Sequence, residues 1–129
     1  MNSEEPKRIL IVDDDPGVCK LLGLRLKREG FTVSSAFSGK QGVEIAINQG
    51  ADLIIMDIMM PDMDGSEASQ ILKENKQTKN IPILYLTALE KKEEESQFDD
   101  IHMDQRVFAK PCNIELLLKY IRKILKIQH

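Results

Sequence analysis

The sequence predicts a doubly wound α/β domain, a five-stranded parallel sheet covered by helices on both faces. Three observations predict it. Short apolar runs alternate five times with amphipathic stretches, which is the pattern of successive strand–helix units. No long linker, internal repeat or low-complexity tract interrupts them. The central run, Leu53-Ile54-Ile55-Met56, is apolar without alternation, as a strand buried on both faces requires.

The elements follow in order. Ile9 to Val12 is a compact strand run that stops at Asp13-Asp14-Asp15. Pro16 suits the first turn of a helix capped by Asp15, with Val18, Leu21, Leu22 and Arg25 at helical spacing and Gly30 as the stop. Phe31 to Ala36 alternates like a half-exposed edge strand. Ser38 with Gln41 three residues on forms a capping box for a second helix, which Gly50 closes. The run from Leu53 ends on the carboxylate Asp57 and meets Pro61 and Gly65, both turn formers. Asp64 or Ser66 can cap a third helix with Ala68, Ile71 and Leu72 inward.

Ile81 to Leu86 is the fourth strand run, with Pro82 at its tolerated first residues, and it leads into Thr87-Ala88. Residues 90–105 form the weakest helix, with little apolar face beyond Phe98 and Ile101. Val107-Phe108-Ala109 is a short fifth strand ending at Lys110-Pro111, and Asn113 caps a strong final helix to about Ile127. The 129 residues therefore read as one domain with a core of about 7–127.

Composition excludes several classes of function. A hydrophobic content of 42% and a charged content of 30% are ordinary for a soluble globular protein. The net charge of −3 carries no basic footprint, so direct nucleic-acid binding is not expected. No apolar run nears the roughly 20 residues that span a bilayer, and the polar start Met1 to Lys7 is no signal peptide. Cys19 and Cys112 lack metal or redox spacing and read as idle thiols in a reducing cytosol.

The chemistry lies in the loops that follow the strands, where open α/β sheets hold their sites. Asp13 and Asp14 end the first strand and Asp57 the third; if these strands are neighbours, the carboxylates converge. Clustered carboxylates repel one another, so either some stay protonated or a divalent cation neutralises them. Hard oxygen ligands favour Mg²⁺ or Mn²⁺. Lys110 adds an ammonium and Thr87 a hydroxyl, the parts that hold phosphoryl oxygens during transfer, with Asp57 as nucleophile. Ala88 beside Thr87 leaves a path for the incoming group.

Asp13-Asp14, the stretch from Asp57 to Gly65 (D-x-x-M-P-D-M-D-G), Thr87-Ala88 and Lys110-Pro111 occur in this order along nearly the whole chain. Together they resemble the receiver domain of two-component response regulators. The resemblance implies a flavodoxin-like sheet of strand order 2-1-3-4-5. It implies that Asp57 accepts a phosphoryl group from a histidine kinase or phosphotransfer protein. Asp14, Asp57 and the Met59 backbone carbonyl would bind Mg²⁺, with Asp13 acting through water. Thr87 and Lys110 would contact the phosphoryl oxygens and pass the signal to a downstream protein target or effector domain. Such a domain is cytoplasmic, and it serves as a regulatory phosphoacceptor rather than an enzyme on an outside metabolite.

Three positions depart from the family pattern. Val107 stands where an aromatic switch residue is usual, Met103-Asp104 where Gly-Ala is usual, and Cys112 where Phe is common. All three concern output rather than chemistry. Two competing functions fit parts of the pattern. A Mg²⁺-dependent aspartyl phosphohydrolase would use Asp13-Asp14-Asp15 as a D-x-D motif, and a binding module would keep the fold without the phosphate. Asp62 to Gly65 fails as an EF-hand loop because Met60 and Ile71 would fall on ligand positions. The final helix carries an apolar arc of about 200° with Leu116, Tyr120, Ile124 and Ile127 widening it, against the ~100° a sheet-packed helix needs. The excess predicts either a partner or homodimer surface, or coverage by neighbouring elements.

Overall fold

The computed structural model describes residues 5–87, 106–110 and 113–127. Five parallel strands, β1 (Arg8–Val12), β2 (Thr32–Ala36), β3 (Leu53–Asp57), β4 (Ile83–Thr87) and β5 (Arg106–Ala109), form one sheet in the order β2-β1-β3-β4-β5. The described helices are α1 (Pro16–Arg28), α2 (Gly39–Gln49), α3 (Gly65–Glu74) and α4 (Ile114–Leu125). The helix expected over 90–105, together with Met103-Asp104, Ala88 and Cys112, lies outside the described residues.

The sheet's two faces carry two cores. Ile9, Ile11, Leu53, Ile55, Leu84 and Leu86 face α1 and α4, meeting Leu22, Leu26, Leu117 and Ile121. Leu10, Val12, Ile54, Met56 and Tyr85 face α2 and α3, meeting Val43, Ala46, Ala68 and Leu72. All five residues of β3 are buried, which is why its sequence does not alternate. On β2 the pattern is mixed, as befits an edge strand.

Local signals placed most helix ends. Asp15 caps α1 by accepting from the Gly17 amide, Asp64 caps α3 from Glu67, and Asn113 caps α4 from Leu116. Asp64 rather than Ser66 is thus the cap of α3. Gly30 and Gly50 take positive φ of 100° and 78° after α1 and α2, where a side chain would be strained. The Ser38 hydroxyl accepts from the Gln41 amide as expected, but Gln41 reaches back to the amide of Phe37 rather than to that of Ser38.

Several sequence expectations need correction. Leu21 is 72% exposed and Ile71 sits on the solvent edge of α3; Cys19 and Ser69 take the inward positions instead. Apolar spacing marks a helix face to within one residue, and packing selects which neighbour turns in. Pro82 precedes β4 rather than opening it, and its carbonyl accepts from the Ile54 amide, a bond that needs no proline N–H. Strand β5 starts at Arg106, one residue early. Helix α4 ends at Leu125, because Lys126 takes a left-handed φ of 59° and Ile127 folds back onto Arg122. Tyr120, Ile124, Leu125 and Ile127 pack against the chain's own core, so much of the extra apolar arc is covered internally, while Leu116 is exposed.

Candidate functional site

Strand register assembles the site. Val12 pairs with Met56 across β1 and β3, so Asp13 and Asp57 follow at the same level. Asp57 pairs with Leu86, and Thr87 with Ala109, which brings Lys110 to the same edge. Strand order reverses between β1 and β3, and the crevice at such a reversal is where open α/β sheets bind ligands.

Asp13 is fully buried and Asp57 is 2% exposed, an unusual depth for two carboxylates. Asp57 Oδ1 accepts from the Met59 amide at 3.1 Å, and its Oδ2 accepts from Lys110 Nζ at 3.2 Å. Asp13 Oδ1 accepts from the Asp15 amide at 2.9 Å. Its Oδ2 lies 2.9 Å from Lys110 Nζ as an ion pair, yet off the hydrogen-bonding direction, and has no hydrogen-bond partner. Asp14 is exposed and joins the pair, each of the three offering an oxygen within 4.8 Å of the others.

Three carboxylates facing one ammonium leave an excess of negative charge. Burial pushes the Asp57 carboxyl up to about 6, the neighbouring Asp13 adds to the rise, and Lys110 and the Met59 amide oppose it. Burial alone would lower the Lys110 ammonium, but Asp13 and Asp57 outweigh it and hold it above its ordinary value. A buried carboxylate oxygen held by an ion pair but by no hydrogen bond, beside two more carboxylates, is a donor set for a hard divalent cation. The residues present therefore fit Mg²⁺ or Mn²⁺.

Of the predicted site residues, Asp13, Asp14, Asp57 and Lys110 converge, and Met59 joins them through its amide. Strand β4 carries Thr87 to the same edge, but the contacts predicted for its hydroxyl lie outside the described residues. Asp15 is committed to capping α1, which removes the second acid that a D-x-D phosphohydrolase would need. Val107 is partly buried among the α2/α3-side residues, while Phe108 is buried on the opposite face, edge-on to the Tyr120 ring with centroids 5.7 Å apart.

A family model for the response regulator receiver domain matches residues 9–122. The chain belongs to the response regulator receiver family.

Receivers of this family act in two-component signalling. The chain is 36% identical over 119 residues to the DNA-binding dual master transcriptional regulator RpaA of Synechocystis sp., covering 92% of this chain and 49% of that protein. It is 33% identical over 121 residues to the response regulator ArlR of Staphylococcus saprophyticus, covering 94% of this chain and 53% of that one. The receiver thus spans about half the length of these curated relatives. Among solved structures it resembles the chemotaxis protein CheY4 of Vibrio cholerae, with a TM-score of 0.81, 28% identity, and 92% and 98% of the two chains covered. It also resembles the receiver domain of a Pseudomonas aeruginosa sensor histidine kinase, with a TM-score of 0.84, 26% identity, and 94% and 98% covered. That domain holds a magnesium ion in its active-site cleft. Among the described residues, no helix of the receiver is long and apolar enough to cross a membrane.

One feature of the site was missed at the level of sequence. Asp62 reaches from the loop after β3 to the start of α2, accepting from the Gly39 and Lys40 amides at 3.3 Å each. Burial pulls its carboxyl up, and these backbone amides outweigh that and hold it below the usual carboxylate range. The absence of any acidic residue in the first turn of α2 is the signal that would have suggested an outside anion.

Proposed function

We propose that the chain is the phosphoacceptor of a two-component or phosphorelay pathway, with Asp57 as the acceptor. The observation that carries this reading is a buried Asp57 touching Lys110, next to a buried Asp13 that shares the same ammonium on the C-terminal edge of the sheet. An Asp57 oxygen attacks the phosphorus of a phosphohistidine donor. The new O–P bond forms as the P–N bond breaks, and the imidazole leaves with a proton. Lys110 holds the transferred oxygens, and Thr87 is assigned the same task from β4. Asp14, Asp57 and the Met59 carbonyl would hold Mg²⁺, with Asp13 acting through water. When bound, the cation neutralises the charge on the transferring group.

The domain hydrolyses its own aspartyl phosphate slowly and acts on no outside metabolite. A histidine kinase or phosphotransfer protein supplies the phosphoryl group in the cytoplasm. A downstream protein or effector domain reads it, and residues 1–129 form the single receiver unit. Homodimerisation at the exposed edge of α4, marked by Leu116, is part of the proposal. Sedimentation as a monomer with and without beryllofluoride would sink that part.

The central test is incubation with acetyl phosphate and Mg²⁺ followed by intact mass. The wild type is expected to gain one phosphoryl group and Asp57→Asn none. An unchanged adduct on Asp57→Asn overturns the assignment.

A further inference from the structure

The loop from Ile58 to Asp64 carries the Met59 backbone, whose amide meets Asp57 Oδ1. The Met59 side chain is 51% exposed and anchors little, so other contacts must hold this backbone. The Gly65 amide closes the loop on the Ile58 carbonyl at 2.8 Å, and Met60 is buried. Asp62 supplies a third anchor, through hydrogen bonds to the start of a different helix.

Gly39 and Lys40 open α2, and their amides have no acceptor within the helix. Ser38 satisfies the Gln41 amide, which leaves those two to the two oxygens of Asp62. The positive end of the helix favours a carboxylate there. Independent of that bond, a Cβ on Gly39 would lie 2.7 Å from the Met63 carbonyl oxygen and 2.9 Å from Met63 Cβ. The loop and α2 are therefore in direct backbone contact, and glycine is what allows it.

We propose that Asp62 is a positioning residue for phosphoryl acceptance, pinning the loop to the start of α2 so that the Met59 backbone keeps its place beside Asp57. The proposal rests on the phosphoacceptor reading, since the Met59 carbonyl matters through the cation that reading invokes. Groups that hold a metal's ligands in place rather than the metal itself are commonly worth about ten-fold or more in metal affinity. Asp62 acts on the Met59 amide even without metal, because the N–H to Asp57 bond needs the same loop position.

The test compares wild type, Asp62→Ala, Asp62→Asn and Gly39→Ala in the full chain. Asp62→Ala is expected to shift the Met59 amide resonance of the metal-free protein and to weaken Mg²⁺ binding about ten-fold. Its phosphorylation rate should fall at limiting Mg²⁺ and recover when Mg²⁺ saturates. Asp62→Asn keeps one accepting oxygen and should fall between. Gly39→Ala pushes on Met63 from the other side and should weaken Mg²⁺ binding while leaving the Asp62 carboxylate in place. A lowered melting temperature in Asp62→Ala with unchanged Mg²⁺ affinity and Met59 resonance overturns the proposal, leaving Asp62 a helix cap. A wild type that binds Mg²⁺ but takes no phosphoryl group counts against the phosphoacceptor reading, and the Mg²⁺ titration still decides the role of Asp62.

Discussion

Asp57 gathers in one side chain the burial and crowding that define the site, and its ionisation sets a pH dependence. Its pKa in the folded protein is about 6, above the ordinary carboxylate value of 3.8. Between those values the native state binds more protons than the unfolded chain, so stability falls as pH rises from about 4 to about 6. Urea midpoints of the metal-free protein should therefore drop over that window, and Asp57→Asn should flatten the drop and be the more stable form at pH 7. Mg²⁺ at a hundred times its dissociation constant should stabilise the wild type at pH 7 by about 2.7 kcal/mol, read as a higher urea midpoint. Tyr85 offers a second test at this scale. Its buried hydroxyl and that of Ser69 lie 2.6 Å apart, joining β4 to α3. Tyr85→Phe should cost about 1 kcal/mol in chemical denaturation, because the Ser69 hydroxyl is left buried without its partner.

Helix α3 is tied to β3 by the closest approach found at any glycine among the described residues. A Cβ on Gly65 would lie 2.5 Å from the Asp57 carbonyl oxygen and 2.9 Å from Ile58 Cα. Backbone on both sides cannot yield, so Gly65→Ala should destabilise by about 1–3 kcal/mol and weaken Mg²⁺ binding with it. Thermal melts and Mg²⁺ titrations measure the two losses. In the sequence Gly65 reads as a turn residue; its φ is not positive, and the requirement is space, which only the neighbouring strand reveals. The caps, by contrast, were legible, because Asp15, Ser38 and Asn113 bond amides two or three residues away in their own chain segment. Helices α1 and α4 are joined at their polar margins by Arg25 to Glu115 and Arg122 to Glu29. These partly exposed pairs orient the helices more than they stabilise them. Truncating Leu117, fully buried between α4 and the sheet, should cost about 2–5 kcal/mol.

Across the whole molecule, cores on both faces of the sheet hold its strands in a register that brings the backbone positions of Asp13, Asp57, Thr87 and Lys110 to one edge. The resemblance to receivers implied the spatial order of the strands and which carboxylates and lysine belong together, while the sequence by itself determined the number of strands and most helix starts. Those signals are periodicity and short-range hydrogen bonding, which one segment of chain carries alone. Tertiary structure decided the rest. It made Leu21 and Ile71 solvent-facing, because a helix's apolar arc does not say which edge of it meets the sheet. It left one oxygen of Asp13 without a hydrogen bond, a matter of angle to a lysine 97 positions further along the chain. It also gave Asp62 its grip on α2, since the partners lie 23 and 22 residues apart and meet only when β2 and β3 take their places on either side of β1 and the loops that follow them come together. Long-range contacts of this kind depend on register and packing, and no local pattern encodes them.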